Sequence, residues 1–289
     1  MKKVLITGAN SYIGLNVEKW LLKNPESYSV DTVDMIDGSW REKDFSQYDV
    51  VYHVAGIAHS DSGKIPPEKE KLYRAVNTEL TIETAKKAAS EGVKQFIFMS
   101  SAIIYGDSAP IGKKKIITKE TQPTPNNCYS DSKWQAELGL MKVSGDMKIC
   151  VLRPPIIYGK GSNGNYPVLA KFAQILPIFP KVNNTRSMLY IENLCEFVRL
   201  MIENGEQGVF WPQNKEYSNT TQVVEIIAKA HGKKIATTRV FNWGLYILRL
   251  GTGLVDKAFG SLAYDQKMSE YKEEYIVVGL EESIIRTEG

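Results

Sequence analysis

The sequence contains little cysteine and little histidine, with three of each in 289 residues. The cysteines are odd in number and widely spaced, and no two form a Cys-x-x-Cys pair. This pattern predicts no metal site and fits a reducing cytoplasm. The three cysteines are Cys128, Cys150 and Cys195.

The chain also lacks a strong charge of either sign and any long apolar run. Lys and Arg total 36 against 33 Asp and Glu, a net charge of +3, and the sole basic run, 113–115, is typical of a solvated loop. Nucleic acid is therefore not an expected partner. The apolar run at 4–6 is too short for a signal peptide, and residues 243–250 fall well short of the ~20 residues of a bilayer span. We expect no membrane partner and interpret 243–250 as a core or interfacial helix.

What the chain does have is apolar material for one large domain or two interleaved ones, with 43% of its residues hydrophobic and 24% charged. Through the first half, short apolar runs alternate with helical periodicity. Strands joined by covering helices require a parallel sheet with right-handed crossovers. The predicted strands are 4–6, 30–35, 50–54, 95–100 and 148–153, and the predicted helices are 15–22, 71–91 and 130–143.

The composition shifts after residue 153, where Gly, Asn and Pro become frequent. Loops are expected there, then helices at 192–203 and 220–231 and a strand at 275–278. We interpret this half as a small cap of mixed structure over the carboxyl edge of the sheet, where open α/β folds bind ligands. The prediction is an α/β fold, with a doubly wound parallel sheet at 1–158 and a substrate-binding region at 159–289 interleaved with it.

A glycine-containing loop at 7–14 follows the first predicted strand and opens the first helix, as a dinucleotide-binding loop requires. Gly8 permits the tight turn, Gly14 lets helix and strand approach closely, and the helix N-terminus attracts a pyrophosphate. Ser11 stands where a middle glycine is commoner, and its hydroxyl can donate a hydrogen bond. The loop predicts a Rossmann-type sheet with a cofactor held by Gly8, Asn10, Ser11, Tyr12, Ile13 and Gly14.

A carboxylate is expected to hold the adenosine ribose. Asp34 lies 20 residues after Gly14 and can accept hydrogen bonds from both ribose hydroxyls while repelling a 2′-phosphate, which favours NAD over NADP. Asp37 is an alternative, because the pattern does not fix the end of the second strand. Asp44 and Phe45 either flank the adenine or form a surface turn.

Small residues, Ala55 and Gly56, follow the third strand and leave room for a cofactor. Two histidines lie beside them. His53 is interpreted as a core histidine with satisfied hydrogen bonds, and His59 as either a loop residue or a substrate contact.

Tyr129 and Lys133 are four residues apart at the start of a predicted helix, hence on one face. A phenol with a pKa of ~10 is a poor base at neutral pH, but a neighbouring ammonium and a positively charged nicotinamide both stabilise phenolate. We therefore expect a lowered pKa that makes Tyr129 an acid/base group. Ser100 and Ser101 end a strand, where one hydroxyl either shares the substrate oxygen with Tyr129 or forms a simple cap.

Together these motifs resemble the extended short-chain dehydrogenases/reductases, and within them the nucleotide-sugar epimerases and reductases, closest to a UDP-glucose 4-epimerase-like subgroup. The resemblance covers most of the chain. It is carried by residues 7–14, 53–56, 76–78, 100–106, 129–133 and 153–159.

The resemblance implies a role for each matching residue. Ser101 takes the place of the catalytic Ser/Thr, Tyr129 that of the acid/base, and Lys133 that of the lysine which also reaches the nicotinamide ribose. Asn77 supports the cofactor side of the pocket. The implied substrate contacts are Asn165 to the nucleotide-sugar, Phe179 beside a uracil, and Arg186, whose planar fork suits a diphosphate.

The resemblance implies a UDP-sugar 4-epimerase that forms a transient 4-keto sugar with tightly held NAD. Ala102 and Ile103 stand where 4,6-dehydratases carry Asp-Glu, and neither transfers a proton, so dehydration is not expected. Ile156 stands where galactose epimerases usually have Asn, so the sugar stays open. The alternatives are an NAD(P)H-dependent 4-keto-sugar reductase and a non-catalytic NAD(P)-sensing protein. A cytoplasmic homodimer that supplies polysaccharide precursors is compatible with the same resemblance.

Overall fold

The computed structural model of the protein describes residues 1–57, 65–143, 145–240, 242–249 and 254–289. The chain forms two compact units built from interleaved segments. The predicted division at 158/159, with the second region interleaved with the first, stays a prediction, and the change of unit nearest to it follows Pro154. The first unit comprises Met1–Gly106, Gln122–Pro154 and Leu194–Pro212, and the second comprises Asp107–Thr121, Pro155–Asn193 and Gln213–Gly289.

The strands and helices of the described residues are as follows. The strands are β1 (Lys2–Thr7), β2 (Tyr28–Val33), β3 (Val50–His53), β4 (Gln95–Met99), β5 (Ile116–Ile117), β6 (Lys148–Leu152), β7 (Ile156–Tyr158), β8 (Ile178–Pro180), β9 (Met188–Tyr190), β10 (Gly208–Phe210), β11 (Ala236–Thr238) and β12 (Ala263–Tyr264). The helices are α1 (Tyr12–Leu21), α2 (Pro67–Tyr73), α3 (Leu80–Ser90), α4 (Cys128–Leu140), α5 (Asn165–Ile175), α6 (Ile191–Asn204), α7 (Thr220–Ala230), α8 (Asn242–Arg249), α9 (Leu254–Phe259) and α10 (Leu280–Glu288).

The first unit contains the predicted parallel sheet. Its six strands lie in the order β10-β6-β4-β3-β1-β2, and every neighbouring pair is parallel. From β1 the chain moves to one side of the sheet for β2 and to the other side for β3. Open α/β sheets bind ligands at the carboxyl ends of strands where the order reverses in this way. The α/β fold of Rossmann type is therefore confirmed, and its binding crevice is expected at the ends of β1 and β3.

The central strands of this sheet are mostly apolar on both faces, because helices cover both faces of a parallel sheet. Residues 4–6 of β1 and the whole of β3 and β4 are buried. Small residues such as Ala85 of α3 and Ala136 of α4 belong to the same core cluster. Gly139 of α4 also allows a close approach, since a Cβ there would lie 2.1 Å from Ile82 Cδ1.

The second unit contains three small parallel pairs, β7 with β9, β8 with β11 and β5 with β12. The strand predicted at 275–278 is wrong, because that segment is irregular. Its backbone polar groups bond to a side chain instead of a neighbouring strand. The N–H groups of Val277 and Val278 donate to Asn193 Oδ1, and Asn193 Nδ2 donates back to the Val278 carbonyl.

The helix predicted at 71–91 is a composite element in the structure. Between α2 and α3, residues Arg74–Glu79 are π-helical. Such insertions are rare and frequently occur at functional sites. This one contains Asn77, whose side chain is fully buried.

Residues 242–249 form α8, so the helix expected near 243–250 is present, with Leu250 outside the described residues. Trp243 is 67% exposed and Ile247 is 59% exposed, so these two side chains do not belong to a core, whereas Leu245 is half-buried. Within the described part of the chain, no helix is both long and apolar enough to cross a bilayer.

Candidate cofactor and catalytic site

The loop after β1 is fixed against the ends of both neighbouring strands. The N–H groups of Gly8 and Ala9 donate to the Val33 carbonyl at the end of β2, at 2.9 and 3.1 Å. Gly8 has φ +90°, and a Cβ there would lie 2.9 Å from the backbone of Ala55 after β3. Asn10 also adopts a left-handed conformation, with φ +67°. The loop at 7–14 thus forms a tight backbone turn that only glycine at position 8 permits, and we call this loop the cradle.

Ser11 has a structural role that the glycine pattern did not reveal. It is the N-cap of α1, and its Oγ accepts the Gly14 N–H at 3.1 Å. A Cβ at Gly14 would lie 2.6 Å from this oxygen, so the cap explains the glycine as well. Accepting this bond leaves the hydroxyl its own hydrogen to donate. The cradle and the positive end of α1 together fit the diphosphate of a dinucleotide.

Asp34 and Asp37 differ in their surroundings. Asp34 is the first residue after β2, adjacent to the carbonyl that holds the loop, and its Oδ1 accepts the Ile36 N–H at 2.8 Å. Asp37 Oδ1 accepts both the N–H and the hydroxyl of Ser39, and these bonds lower the pKa of Asp37. Asp34 is therefore the carboxylate nearer to the loop along the chain.

The residues predicted at the adenine lie in a turn after β2. Asp44 Oδ1 accepts the N–H and hydroxyl of Ser46, and these bonds lower the pKa of Asp44. Phe45 is fully buried and lies 6.5 Å from Trp40, ring centre to ring centre. The turn thus combines a surface carboxylate with a core aromatic ring, and adenine contact by this pair stays a prediction.

Gly56, Asn77 and Lys133 lie against one another. A Cβ at Gly56 would lie 3.0 Å from Asn77 Oδ1 and 3.2 Å from Lys133 Nζ. Asn77 holds the backbone here, because its Oδ1 accepts the Ile57 N–H and its Nδ2 donates to the Ile57 carbonyl and to Ser132 Oγ. The π-helical segment thereby ties the loop after β3 to α4. A larger residue at position 56 would displace the amide and the ammonium.

Tyr129 lies in the first turn of α4, which has a capping box formed by Asn127 and Ser130. Its ring lies 5.8 Å from that of Tyr73, and the side chain of Ser101 lies near enough to the phenol to lower its pKa. Burial raises the pKa of Tyr129 to about 12, with a further increase from Tyr73, and the lowering effect of the nearby Ser101 only partly offsets this. The lowered pKa expected from the sequence is therefore wrong for the protein alone, because loss of solvation outweighs local stabilisation of the phenolate.

Lys133 is buried and donates to the Met99 carbonyl at 3.0 Å. Burial lowers the pKa of Lys133 to about 8, and the Glu137 carboxylate acts in the opposite direction. At neutral pH the side chain is still an ammonium. The two serines that follow β4 have different partners, since Ser101 caps the short helix at 102–105 by accepting the Ile103 N–H at 3.3 Å, while Ser100 Oγ donates to Glu137 Oε1.

Sequence reasoning missed Glu137. This carboxylate is only 2% exposed and forms an ion pair with Arg153, whose Nη2 lies 2.6 Å from Oε2. Arg153 Nη1 donates to the Tyr105 hydroxyl at 2.6 Å. The signal was available, because Glu137 follows Lys133 by four residues and so shares its helix face.

His53 is a core histidine, as predicted. Its ring nitrogens lie 2.7 Å from Thr7 Oγ1 and 3.0 Å from Thr81 Oγ1. Burial lowers the pKa of His53 to about 3, so the ring is neutral. His59 lies outside the described residues. No group of three or more His, Cys, Asp or Glu side chains that could hold a metal ion occurs among the residues that the structure describes.

The three predicted substrate contacts all belong to the second unit. Phe179 is buried in β8, 5.7 Å from the ring of Phe259, whereas Asn165 is exposed at the start of α5. Arg186 is buried and donates to the carbonyls of Lys257 and Ala258 at 2.7 and 3.1 Å. Phe179 and Arg186 thus both contact the last turn of α9. Burial lowers the pKa of Arg186 to about 10.

Comparison with known proteins gives a consistent result. The chain is 28% identical to UDP-glucose 4-epimerase of Vibrio cholerae, over 91% of this chain and 87% of that protein. It is also 28% identical to N-acetyl-alpha-D-glucosaminyl-diphospho-ditrans,octacis-undecaprenol 4-epimerase of Escherichia coli O157:H7, over 80% of this chain and 73% of that protein.

The fold is similar to that of UDP-glucuronic acid 4-epimerase from Bacillus cereus, solved in complex with NAD. The TM-score is 0.73 at 18% identity, and the match covers 99% of this chain and 97% of that one. At the level of sequence, the model of the NAD dependent epimerase/dehydratase family matches residues 4–212. The protein therefore belongs to the NAD dependent epimerase/dehydratase family.

Proposed function

We propose that the protein is an NAD-dependent 4-epimerase of UDP-sugars. The feature that carries this proposal is the placement of Tyr129 in the first turn of α4, with Ser101 near enough to lower the pKa of its phenol and the buried Lys133 ammonium one helical turn farther along the same helix. Two relatives at 28% identity that are named as 4-epimerases support it. Ala102 and Ile103 follow Ser101 and cannot transfer a proton, which argues against 4,6-dehydration.

The proposed cofactor site follows the carboxyl ends of β1, β2 and β3. Bound NAD supplies the group that takes up hydride from C4 of the sugar and returns it. The cradle and the start of α1 hold the diphosphate, and Asp34 accepts hydrogen bonds from the adenosine ribose. Asp44 and Phe45 are assigned to the adenine, and Ala55, Gly56, Asn77 and Lys133 to the nicotinamide half.

The proposed proton transfer uses Tyr129 in both directions. Its phenolate accepts the proton of the C4 hydroxyl as the alcohol becomes a ketone, and Ser101 holds the same oxygen. The positive charge of the Lys133 ammonium stabilises the Tyr129 phenolate when it forms. Tyr129 then returns the proton when the ketone is reduced from its other face.

Inversion at C4 requires the 4-keto sugar to turn while the rest of the substrate stays bound. We assign this anchoring to the second unit, with Arg186 on the diphosphate, Phe179 beside the uracil and Asn165 on the nucleotide-sugar. A guanidinium can donate two parallel hydrogen bonds to phosphate oxygens. Such a contact fixes the nucleotide without restricting the sugar.

A 4-keto-sugar reductase is the second candidate, and the high pKa of Tyr129 favours it. A phenol with a pKa of about 12 is protonated at neutral pH. That is the form which donates a proton to the C4 oxygen as a ketone is reduced. An epimerase needs both forms of Tyr129, whereas a reductase needs only this one.

The test is incubation of the purified protein, without added cofactor, with UDP-glucose, UDP-galactose and their N-acetyl forms. We expect interconversion of at least one pair. The panel includes a polyprenyl-diphosphate-linked N-acetylglucosamine, because one relative is named for such a substrate. If nothing converts, but a 4-keto nucleotide-sugar oxidises NADH or NADPH, the protein is a reductase. Cofactor binding without either reaction would favour a sensor.

The cellular setting is part of the same proposal. The low cysteine content supports action in the cytoplasm, and a nucleotide-sugar product suits the synthesis of a surface polysaccharide. A homodimer is proposed as the functional form. Size-exclusion chromatography with light scattering measures its mass directly.

A further inference from the structure

The second unit exposes large apolar side chains on two elements. On α5, Val168, Phe172 and Ile175 are 52%, 43% and 61% exposed, and their spacing places them on one helix face. On and before α8, Val240, Trp243 and Ile247 are 68%, 67% and 59% exposed. Of the five tryptophans, all of which lie in the described part of the chain, Trp243 alone is exposed. We call these six residues, together with Ile178, the α5–α8 surface.

The two elements are joined by direct contacts. After α5 the chain enters β8, where Ile178 is 44% exposed and pairs with Ala236 of β11. Asn242, the first residue of α8, donates from Nδ2 to the Lys181 carbonyl at 3.0 Å. Lys233, just before β11, donates to the Gln174 carbonyl at 2.8 Å. The apolar side chains are therefore carried by one connected group of elements.

The charged residues in the two sequence stretches that form this surface are all cationic. No Asp or Glu occurs from 147 to 191 or from 226 to 255, the two stretches that contribute the surface. Glu288 of α10 approaches them, but its side chain is only 8% exposed and is hydrogen-bonded to His231 and Tyr166. Glu225 of α7 is an exposed carboxylate, and it accepts from Thr237 Oγ1 of β11. The exposed cations among the described residues of these stretches are Lys148, Lys160, Lys171, Lys181, Lys229, Lys234 and Arg239.

We propose that the α5–α8 surface docks on an anionic lipid bilayer. Tryptophan, phenylalanine and isoleucine on the exposed face of a helix, flanked by lysine and arginine, are the features of interfacial membrane binding. The lysines and arginine complement the negative potential of an anionic leaflet. The protein adsorbs to the bilayer surface and does not span it, which departs from the expectation, drawn from the sequence, of no membrane partner. This site lies outside the proposed cofactor and substrate residues and does not depend on the reaction.

The charge argues against a second copy of this chain as the occupant. If two copies met through the same surface, their lysines and arginines would face each other, which is unfavourable. A nucleic acid would use the cations but gain nothing from seven exposed apolar side chains. An anionic bilayer can accept the apolar side chains into its interface and attract the cations with its headgroups.

The first experiment is flotation of the full-length protein with vesicles. We expect it to float with phosphatidylcholine vesicles that contain 30% phosphatidylglycerol, and to float at least about tenfold less with pure phosphatidylcholine. Binding should fall at high salt, because surface charge is screened. Equal partitioning to the two vesicle types, or none to either at low salt, would overturn the proposal.

Variants locate the binding face. We expect the double variant Trp243→Ser, Ile247→Ser, and separately Lys171→Glu, Lys181→Glu, to reduce binding at least about tenfold. The matched control is Ile116→Ser, Val277→Ser, which removes two exposed apolar residues from other parts of the same unit and should bind normally. Loss of binding in the control as well would contradict the assigned face.

Two further readouts separate a bilayer from another occupant. Brominated lipids should quench wild-type tryptophan fluorescence, and Trp243→Phe should remove most of that quenching. Light scattering without vesicles should give wild type and Trp243→Ser, Ile247→Ser the same mass. If the variant instead dissociates an oligomer, and wild type does not float, the surface is covered by a second copy and the proposal is wrong.

Discussion

The side chains around Lys133 form a buried arrangement of charges. Glu137 carries the single carboxylate of this group, and it contacts Arg153 and Ser100 directly. His53 faces Lys133 from β3 but is neutral, because burial lowers its pKa to about 3. The ammonium of Lys133 is thus supported mainly by Glu137. A buried carboxylate that supports a catalytic ammonium is a positioning residue, and its removal should have an electrostatic consequence.

We predict that Glu137→Gln shifts the alkaline limb of the pH–rate profile to lower pH. In the wild type, activity should fall as the pH rises through about 8, where Lys133 loses its proton. Without the Glu137 charge the pKa of Lys133 falls further, so the loss begins earlier. The measurement is kcat/KM against pH.

The control is Glu137→Asp, which keeps the charge but has a shorter reach to Arg153. Both variants should lose stability, and breaking a buried pair outright costs about 3–5 kcal/mol. Only Glu137→Gln should move the limb. An unchanged profile in Glu137→Gln would mean that Glu137 serves the fold alone.

Tyr129→Phe should lower turnover by at least ~100-fold, the usual scale for loss of a general acid/base. The phenol is the only group that the proposed mechanism asks to transfer a proton. The control is Tyr73→Phe, which keeps the neighbouring ring 5.8 Å away but removes its hydroxyl. Near-normal turnover of Tyr129→Phe in a steady-state assay would exclude Tyr129 from the reaction.

Among the elements, α4 has the most direct effect on chemistry, because Tyr129 lies in its first turn. Asn127 Oδ1 accepts the Ser130 N–H at 2.9 Å, and Ser130 Oγ accepts the Asn127 N–H at 3.1 Å. This capping box fixes where the helix begins. The orientation of the phenol therefore depends on a cap two residues before it.

We predict that Asn127→Ala destabilises the protein by about 1 kcal/mol, the typical cost of losing an N-cap, and also lowers kcat. The matched control is Asn219→Ala, which removes the N-cap of α7 in the second unit. It should lose at least as much stability, measured by urea unfolding, with kcat unchanged. Equal effects of the two variants on kcat would show that the α4 cap does not position Tyr129.

The elements also show what the sequence can predict. The central strands were predictable, because uninterrupted apolar runs are typical of buried parallel strands. The loop after β1 was predictable from its glycine, and the structure gives Gly8 a φ of +90°. The π-helical turn at Arg74–Glu79 was not, because its extra residue leaves the helical pattern largely intact. Glu137 was missed as a buried charge because a charged residue on a helix usually faces solvent. The strand predicted at 275–278 failed because a distant side chain, Asn193, satisfies its backbone.

At the scale of the whole molecule, the proposed cofactor and substrate residues belong to different compact units. The cradle, Tyr129 and Lys133 are in the first unit, whereas Arg186 is in the second. The hydrogen bonds of the Arg186 guanidinium go to carbonyl and hydroxyl oxygens, not to a carboxylate, among the residues that the structure describes. A buried cation without a counter-ion is costly, and an anionic ligand would offset that cost.

Arg186→Ala should therefore weaken UDP binding by about 10- to 100-fold, the scale of a lost charge-assisted hydrogen bond, and leave NAD binding intact. Titration calorimetry of both ligands on the same preparation gives the comparison. Arg186→Lys keeps the charge but lacks the planar fork, so its affinity for UDP should lie between those of Arg186→Ala and wild type. Tyr129→Phe serves as the opposite control, because it should bind UDP normally. Unchanged UDP affinity would remove Arg186 from the substrate site. Equal loss of UDP and NAD binding would instead indicate that the buried guanidinium stabilises the fold.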